Sequence, residues 1–315
     1  MPKRLLGREN EDLLEHFDHV IVCMIVVVQQ NHPVKRDLFL ALRNLCPWRR
    51  NRLRHRLTHN SRLPPSSTRR VRRNREYDPF ADLYNRFWGV EYRAAAWPVL
   101  EQLLLSRLQR GASVLDVCCG TGQFARELLD RGYDVAGVDA SAPMIRHARR
   151  NAPGAAFTVA DVRDFDLRRK FHGAWSVFES LNHVPDAEGL EMAFVSIRKH
   201  LRRGAPFLFD LVGPATYLRN WNTTHSIIED DLVCAVRMSY DQATELATCE
   251  ITLFDDPPAW RRRDFRLHQK CHATAAVIQA LGAAGFRNLT LHSRRDLNLP
   301  GSLGLDRTFF LVDAG

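Results

Sequence analysis

Residues 114–141, VLDVCCGTGQFARELLDRGYDVAGVDAS, decide the fold of this chain. A short apolar run breaks into a turn of small residues at 118–122, and a second apolar run ends in Asp139. The stretch between them has apolar residues at helical spacing, so the segment predicts a strand, a helix and a second strand. Ligands of a parallel sheet lie outside the carboxyl ends of its strands, where the strand order reverses. The residues that follow both strands are therefore candidate parts of a binding site.

The net charge of +9 is confined to the first quarter of the chain. Residues 1–76 contain 17 Lys and Arg against 7 Asp and Glu, whereas residues 77–315 contain 28 against 29. A segment rich in Arg, Pro and Ser, without a sustained apolar period, is expected to be disordered. We interpret residues 1–76 as a dispensable basic extension, with an RNA-binding or anionic-surface arm as the alternative. The remainder has no excess of positive charge for a phosphate backbone.

Neither the cysteines nor the hydropathy pattern indicates a secreted or membrane protein. The 7 cysteines are odd in number and include no C-x-x-C pair, so we expect neither a disulfide framework nor a zinc site. The longest apolar run, 20–28, is short, since a helix needs about 20 residues to cross a bilayer. We expect a cytoplasmic protein without a membrane span or a bound metal. Its oligomeric state is not indicated.

After residue 76 the pattern alternates between strands and helices. Strands are expected at 114–117, 134–139, 156–160, 173–178 and 206–211, and helices at 123–131, 142–150 and 188–201. Such alternation predicts an α/β fold, with a parallel sheet covered by helices on both faces. Beyond Gly213, β-rich segments predict an antiparallel subdomain of three or four strands, and a helix capped by Thr274 and two strands close the chain. The expected units are a helical lid (77–112), a core (113–212), a β-rich cover (213–272) and a closing segment (273–315).

The acids near the two turns indicate the kind of ligand. Gly120 and Gly122 lack a Cβ, so the backbone can approach a ligand closely. Asp139 is placed to accept both hydroxyls of a ribose. A nicotinamide or flavin dinucleotide is the alternative, but Asp116 precedes the glycines, where it opposes a pyrophosphate and favours an ammonium group. The implied ligand has a ribose and a cationic amino-acid end.

Residues 77–312 resemble the class I S-adenosylmethionine-dependent methyltransferases, of the group that acts on small molecules. VLDVCCGTG resembles the first motif of that family, VAGVDASAPMIRHAR the second and FTVADVRDF the third. VFESLNHV and PFLFDLVGP resemble its fourth- and fifth-strand segments. The resemblance implies a Rossmann-like fold with a seven-stranded, mostly parallel sheet, and S-adenosyl-L-methionine as the cofactor.

Carried over to this sequence, the resemblance implies a set of cofactor contacts. The expected contacts are Cys118 and Gly120 at the methionine part, Asp116 near its ammonium group, Asp139 at the ribose, Met144, Asp161 and Val162 at the adenine, and Tyr77 and Tyr84 in the lid. Gly122 and Ala140 are further expected cofactor contacts. Three of the acids also have plainer interpretations. Asp116 would then only cap a turn, Asp139 would cap the helix that follows it, and Asp161 would form an Asx turn.

Two residues depart from the family pattern. Cys118 stands where the family has a glycine, so it must adopt the backbone conformation of that glycine. Glu179 stands where the family has Asp, which shifts the carboxylate by about one C–C bond length. Neither change removes a hydrogen-bond donor, so we expect an active enzyme. A non-catalytic protein that binds the cofactor is the alternative that these departures leave open.

Methyl transfer from a sulfonium requires alignment of the acceptor and exclusion of water more than it requires a base. Glu179, Asn182 and His183 follow the fourth predicted strand and are the candidate catalytic residues. His183 would accept a proton near neutral pH, or would only bond the backbone as a loop histidine. Tyr77, Tyr84 and Trp88 either fold over the cofactor or pack in the core. The expected pocket residues of the cover are Trp221, Arg237, Tyr240 and Trp260.

The expected substrate is a small-molecule methyl acceptor, methylated on an O or N atom. Methyltransferases of base amino groups carry D/N-P-P-Y after the fourth strand, whereas this chain has ESLN there. Its DDPPAW, at 255–260, lies in the late β-rich region. Nucleic acid is therefore disfavoured as a substrate of the catalytic domain. RNA methylation guided by residues 1–76 is the second hypothesis.

Overall fold

The computed structural model describes residues 73–297 and 306–315. The predictions for residues 1–72, a disordered extension or an RNA-binding arm, lie outside these ranges. Within the ranges, no helix combines the length and the apolar character that crossing a bilayer demands.

The larger of two sheets has seven strands. The strands of the protein are β1 (Ser113–Val117), β2 (Asp134–Asp139), β3 (Ala156–Val159), β4 (Gly173–Ser176), β5 (Pro206–Leu211), β6 (Thr223–Ile228), β7 (Val233–Asp241), β8 (Leu246–Asp255), β9 (Arg261–Lys270), β10 (Phe286–Ser293) and β11 (Thr308–Ala314). The order in the larger sheet is β10-β11-β5-β4-β1-β2-β3, and β11 runs antiparallel to both of its neighbours. The predicted seven-stranded, mostly parallel sheet is confirmed. Its order reverses between β1 and β4, which marks the expected ligand position.

Helices cover both faces of this sheet because successive residues of a strand point to opposite sides. The helices of seven or more residues in the described ranges are α1 (Gly89–Val99), α2 (Gln123–Asp130), α3 (Ala142–Asn151), α4 (Ala187–Lys199), α5 (Pro214–Asn220) and α6 (Thr274–Ala283). Val114 of β1 packs in one apolar cluster with residues of α1, α2 and α3. Its neighbour Leu115 packs in a second cluster with residues of α4 and α6. A strand covered on both faces is mostly apolar, and β1 and β5, which are buried along their whole length, have one acid each.

The N-terminal helical segment, 78–107, is irregular. π turns at Tyr84–Trp88 and Leu100–Leu104 interrupt the regular helix, and Pro98 stands inside α1. Proline lacks the N–H that a helix interior uses, so the helix geometry changes near it. Single π turns are frequent at functional sites, and the first of these two carries Tyr84 and Trp88.

A separate antiparallel sheet, in the order β6-β7-β8-β9, is inserted between α5 and α6. Its apolar face packs Cys234, Ile251 and Leu267 in one cluster with Phe80 and Met144. The small sheet therefore contacts the N-terminal helical segment and α3. This arrangement confirms the predicted antiparallel subdomain.

One helix and one helix cap differ from the predictions. Residues 214–220 form a helix, α5, in the region expected to be β-rich. Pro214 suits the first position of a helix, and the distant Asp306 accepts hydrogen bonds from the N–H groups of Ala215 and Thr216. Thr274 does not cap α6, because it is the first helical residue and Ala273 occupies the cap position without a side-chain bond.

We expect Gly122→Ala to destabilise the protein by about 1–3 kcal/mol. Gly122 precedes α2 with φ +78°, and a Cβ there would lie 2.9 Å from the Cα of Ala148. The control is Gly111→Ala, because Gly111 has φ +83° with nothing within 4 Å of an added Cβ. Urea unfolding of both variants measures the two losses, and equal losses would contradict the proposed close packing of this turn on α3.

Candidate active site

A cavity of about 630 Å³ opens at the carboxyl ends of β1, β2 and β4. Residues of the N-terminal helical segment and of β7, β8 and β9 form its other walls. The predicted site residues that line it are Tyr77, Tyr84, Cys118, Gly120, Asp139, Ala140, Met144, Asp161, Val162, Glu179 and His183. Asp116, Gly122 and Asn182 do not line it.

The turn after β1 brings the backbone to the cavity through left-handed residues. φ is +58° at Cys118 and +51° at Gly120. Cys118 thus adopts the conformation expected of the glycine it replaces, at a strain of about 1–2 kcal/mol. A Cβ at Gly120 would lie 3.4 Å from Cε1 of Tyr84, so a larger residue would narrow the space between the turn and this tyrosine.

Asp139 ends β2 with its carboxylate at the cavity. Its Oδ2 accepts from the N–H of Gly120 at 3.0 Å, and its Oδ1 accepts from the N–H of Ser141 at 2.8 Å. Burial raises the pKa of Asp139 to about 6, although both hydrogen bonds oppose the rise. The cap of α3 is Ser141, whose hydroxyl accepts from the N–H of Met144. Asp139 is therefore not the cap, and its carboxylate can accept further hydrogen bonds from a ligand.

Asp116 and Gly122 lie behind the cavity wall. Asp116 is buried in β1, opposite Trp175 of β4. Burial raises the pKa of Asp116 well above its usual range, and the negative charge of Asp139 adds to the rise. The side chain of Trp175 acts in the opposite direction. Asp139 is therefore the acid that reaches the cavity in this region, and the position of Asp116 near an ammonium group stays a prediction.

Asp161 reaches the cavity, but neighbouring residues already use both of its oxygens. Arg163 donates to Oδ1 through its backbone N–H at 3.0 Å and Nε at 2.8 Å, and to Oδ2 through Nη2 at 3.0 Å. Burial acts to raise the pKa of Asp161, but the hydrogen bonds from Arg163 prevail and the pKa is lowered. The backbone bond is the Asx turn of the plainer interpretation. An adenine contact at Asp161 would compete with Arg163 and stays a prediction.

The first described residues take part in the site. The N–H of Asn74 donates to Asp161 Oδ2 at 3.2 Å. The carboxylate of Glu76 accepts from the N–H of His268 at 3.0 Å and pairs with its Nδ1 at 2.8 Å. Asn74 and Glu76 precede residue 77, the expected start of the catalytic unit. Through these contacts they bind to the α/β core and to the small sheet.

Glu179 extends into the cavity from a strained turn and is paired with Arg307, a residue that the sequence analysis missed. φ is +68° at Phe178 and +44° at Glu179. Arg307, at the start of β11, is buried, and its guanidinium donates to both Glu179 and Asp210. Asp210 in turn accepts from the N–H of Glu179 at 3.2 Å. The carboxylate of Glu179 is thus ion-paired where it meets the cavity.

His183 contacts three groups through its two ring nitrogens. Nδ1 lies 2.6 Å from the carbonyl oxygen of His268. Nε2 lies 2.8 Å from the hydroxyl of Tyr77 and 3.2 Å from Nε2 of Gln269. Burial lowers the pKa of His183. A neutral imidazole with its proton on Nδ1 therefore faces Tyr77 as a hydrogen-bond acceptor.

Asn182 is buried and has no part in the cavity wall. Its Nδ2 donates to the carbonyl oxygens of Lys270 at 2.8 Å and Val212 at 3.3 Å. Its Oδ1 accepts from the N–H of Val212 at 3.2 Å. The amide of Asn182 thus ties the turn after β4 to the ends of β5 and β9, and its catalytic role stays a prediction.

Some of the aromatic and cover residues predicted to lie at the site line the cavity, and others do not. Tyr77, Tyr84, Trp88 and Trp221 line the cavity. The other expected pocket residues of the cover, Arg237, Tyr240 and Trp260, do not. Tyr77 and Tyr84 pack edge to face with ring centroids 6.4 Å apart, so one aromatic wall lies opposite the turn after β1.

Comparison with known proteins identifies related sequences. Residues 114–204 match the family model described as a methyltransferase domain. A dTDP-3-amino-3,4,6-trideoxy-alpha-D-glucopyranose N,N-dimethyltransferase of Streptomyces venezuelae is 34% identical over 48% of this chain and 65% of the relative. A dTDP-3-amino-3,6-dideoxy-alpha-D-glucopyranose N,N-dimethyltransferase of Streptomyces fradiae is 35% identical over 38% of this chain and 47% of the relative. The chain thus matches about half to two thirds of the length of these relatives.

A solved structure matches over a longer range. The crystal structure of DesVI from Streptomyces venezuelae superimposes with a TM-score of 0.60 and 26% identity. The match covers 75% of this chain and 98% of DesVI. The likeness therefore extends well beyond the segment matched by the family model.

Proposed function

We propose, from the premise that this chain belongs to the class I S-adenosylmethionine-dependent methyltransferases, that it methylates an amine nitrogen of a small, sugar-like metabolite. S-adenosyl-L-methionine is the cofactor of this family. The activities of the relatives support a small metabolite as the acceptor. The choice of nitrogen and of a sugar is our inference.

The residues of the cavity fit this cofactor. The carboxylates of Asp139 and Glu179 lie on its wall, and a cation beside Asp139 would favour the ionised form of an acid whose pKa burial has raised. When bound, the cofactor supplies a methyl group on a positively charged sulfur. The proposed contacts are Asp139 at the ribose hydroxyls, the backbone of Cys118 and Gly120 at the methionine part, and Met144 and Val162 at the adenine.

An amine acceptor is favoured because the strongest bases near the end of β4 are already engaged. Glu179 is ion-paired with Arg307, and His183 Nε2 accepts from Tyr77. An aliphatic hydroxyl must lose its proton as it attacks, which demands an available base. An uncharged amine would attack with its own lone pair and take over the positive charge of the sulfur as a methylated ammonium, so the transfer itself would require no base. The engagement of both Glu179 and His183 is the observation that carries this proposal.

In this proposal the protein acts mainly by position. Tyr77 accepts an N–H of the amine and so directs the nitrogen lone pair toward the methyl group, a kind of alignment that lowers a barrier by up to about 7–11 kcal/mol. The small sheet, with Trp221 and Met238 at the cavity, covers the sugar and excludes water. The sugar itself is inferred from the relatives, whose names specify amino-sugar nucleotides.

A paired substrate tests the function. The full chain and S-adenosyl-L-methionine are incubated with a nucleotide-linked amino sugar, or with the same compound carrying a hydroxyl in place of the amine, and methylated products are measured by mass spectrometry. We expect methylation of the amine at a rate at least about 100-fold above that of the hydroxyl. Methylation of the hydroxyl alone would overturn the choice of nitrogen. Activity confined to RNA, and lost on deletion of residues 1–72, which leaves Asn74 and Glu76 in place, would overturn the small-molecule acceptor.

A further inference from the structure

A chain of hydrogen bonds continues from His183 through Gln269, which also lines the cavity, to the buried Tyr217. Gln269 Nε2 lies 3.2 Å from His183 Nε2, and the hydroxyl of Tyr217 donates to Gln269 Oε1 at 2.9 Å. Tyr217 is 0% exposed and Gln269 is 7% exposed. Neither residue has a role in the methyl transfer proposed above. Gln269 of β9 thus contacts one nitrogen of the active-site histidine, and Tyr217 of α5 holds the amide of Gln269.

The carbonyl of His268 fixes the direction of the bond at Nδ1, and the orientation of the Gln269 amide gives the direction at Nε2. A carbonyl oxygen can only accept, so His183 Nδ1 must donate its proton to the carbonyl of His268. Because Oε1 of Gln269 accepts from Tyr217, the amide presents its N–H to His183. Nε2 of His183 is therefore an acceptor, and it receives both the N–H of Gln269 and the hydroxyl of Tyr77.

Protonation of His183 would oppose this arrangement. An imidazolium would place a second N–H against the N–H of Gln269, so the hydrogen bonds favour the uncharged ring. Of the charged and titratable groups facing it, Glu179 and Glu76 favour the imidazolium and His268 disfavours it, while burial exceeds all of them and lowers the pKa. Tyr77 is the remaining titratable neighbour, and its hydroxyl bonds the neutral form.

We propose that Gln269 is a positioning residue that, held by Tyr217, donates to His183 Nε2 and keeps the imidazole uncharged while the acceptor amine is bound. The proposal rests on the amine-directed function above. With His183 neutral, the proton of Tyr77 stays directed at Nε2, and the lone pairs of the phenol oxygen remain available to an N–H of the amine. A charged His183 would donate to the hydroxyl of Tyr77 instead of accepting from it. Its positive charge would also lie near the acceptor, where it would repel the positively charged sulfur of the cofactor.

Titration of His183 by NMR in the full chain without cofactor tests this inference. The resonance is assigned by its absence from His183→Gln. In the wild-type protein we expect the pKa of His183 below its usual value. Gln269→Glu should raise it by about one pH unit or more, because a carboxylate would then face Nε2. Tyr217→Phe should raise it by about half a unit, because the freed amide can turn its oxygen toward Nε2.

A matched control separates this effect from a general loss of packing. Tyr240 stacks on Tyr217 with centroids 5.0 Å apart and does not line the cavity. Tyr240→Phe therefore removes a hydroxyl from the adjacent ring, and we expect the pKa of His183 to stay unchanged. Circular dichroism checks the fold of each variant, and Gln269→Leu replaces Gln269→Glu if that variant does not fold.

The outcomes distinguish this inference from the proposed function. A pKa of His183 that is unchanged in both the Gln269 and Tyr217 variants would overturn the inference, whatever the enzyme methylates. A raised pKa in the variants of an enzyme that methylates only hydroxyls would overturn the amine acceptor and leave the hydrogen-bond assignment in place. If both the inference and the proposed function are correct, the acid limb of the pH profile of kcat/KM for the amine should move to higher pH in these variants, by the same shift that NMR measures for His183.

Discussion

Asp139→Ala should weaken the binding of S-adenosyl-L-methionine by about 2–3 kcal/mol, which is about 30- to 150-fold in Kd, because an ionised acceptor for two hydroxyls is lost. The carboxylate already accepts from the N–H groups of Gly120 and Ser141, so it is fixed in place before the cofactor binds. Titration calorimetry of the full chain measures the change. Asp130→Ala removes an exposed acid at the end of α2 and should leave the affinity unchanged.

The pH dependence of the same binding provides an internal check. Burial raises the pKa of Asp139 to about 6 in the protein. Since the ionised carboxylate is the better acceptor for two hydroxyls, the wild-type affinity should be constant above that pH and fall below it, by up to about tenfold per pH unit. Asp139→Ala lacks the titrating group, so its affinity should not change across this range. An affinity that falls equally in the wild type and in Asp139→Ala would contradict the ribose assignment.

Much of the fold can be read from local sequence because the signals for strands and turns are local. The apolar runs that end at Val117 and Asp139 are bounded by small residues, and β2 and β5 have the predicted bounds. The positions of Cys118, Asp139 and Glu179 at strand ends follow directly. Parallel strands bring their carboxyl ends to one edge of the sheet, so these residues meet at one cavity without any further information.

The parts that escaped prediction depend on contacts between distant residues. Asp306 caps α5 from far along the chain, and the amide of Asn182 bonds the backbone at the ends of β5 and β9. The spacing of residues along the sequence does not indicate which distant residues form such contacts. Gln269 did leave a signal, because it lies two residues from both Leu267 and Cys271, which are apolar, and so shares their buried face.

Arg307→Met should destabilise the protein by about 3–5 kcal/mol, the largest loss that we expect from any single substitution discussed here. The guanidinium is buried between Glu179 and Asp210, so methionine would leave two acids near each other without their cation. Burial already raises the pKa of Asp210, and Arg307 opposes that rise. Urea unfolding at neutral pH measures the loss, and binding of S-adenosyl-L-methionine shows whether Glu179 has moved.

The pH dependence of this loss follows from the sign of the pKa change. Without Arg307 the pKa of Asp210 should rise further above its unfolded value, so the folded variant binds more protons than the unfolded chain and loses stability as the pH rises. The deficit against the wild type should therefore shrink between neutral pH and pH 5. Arg107→Met is the control, because Arg107 pairs with Asp313 of the same strand, β11, at the surface, and such pairs contribute about 0–1 kcal/mol. Similar losses in the two variants, or a deficit that grows on acidification, would show that Arg307 does not neutralise the acids that position Glu179.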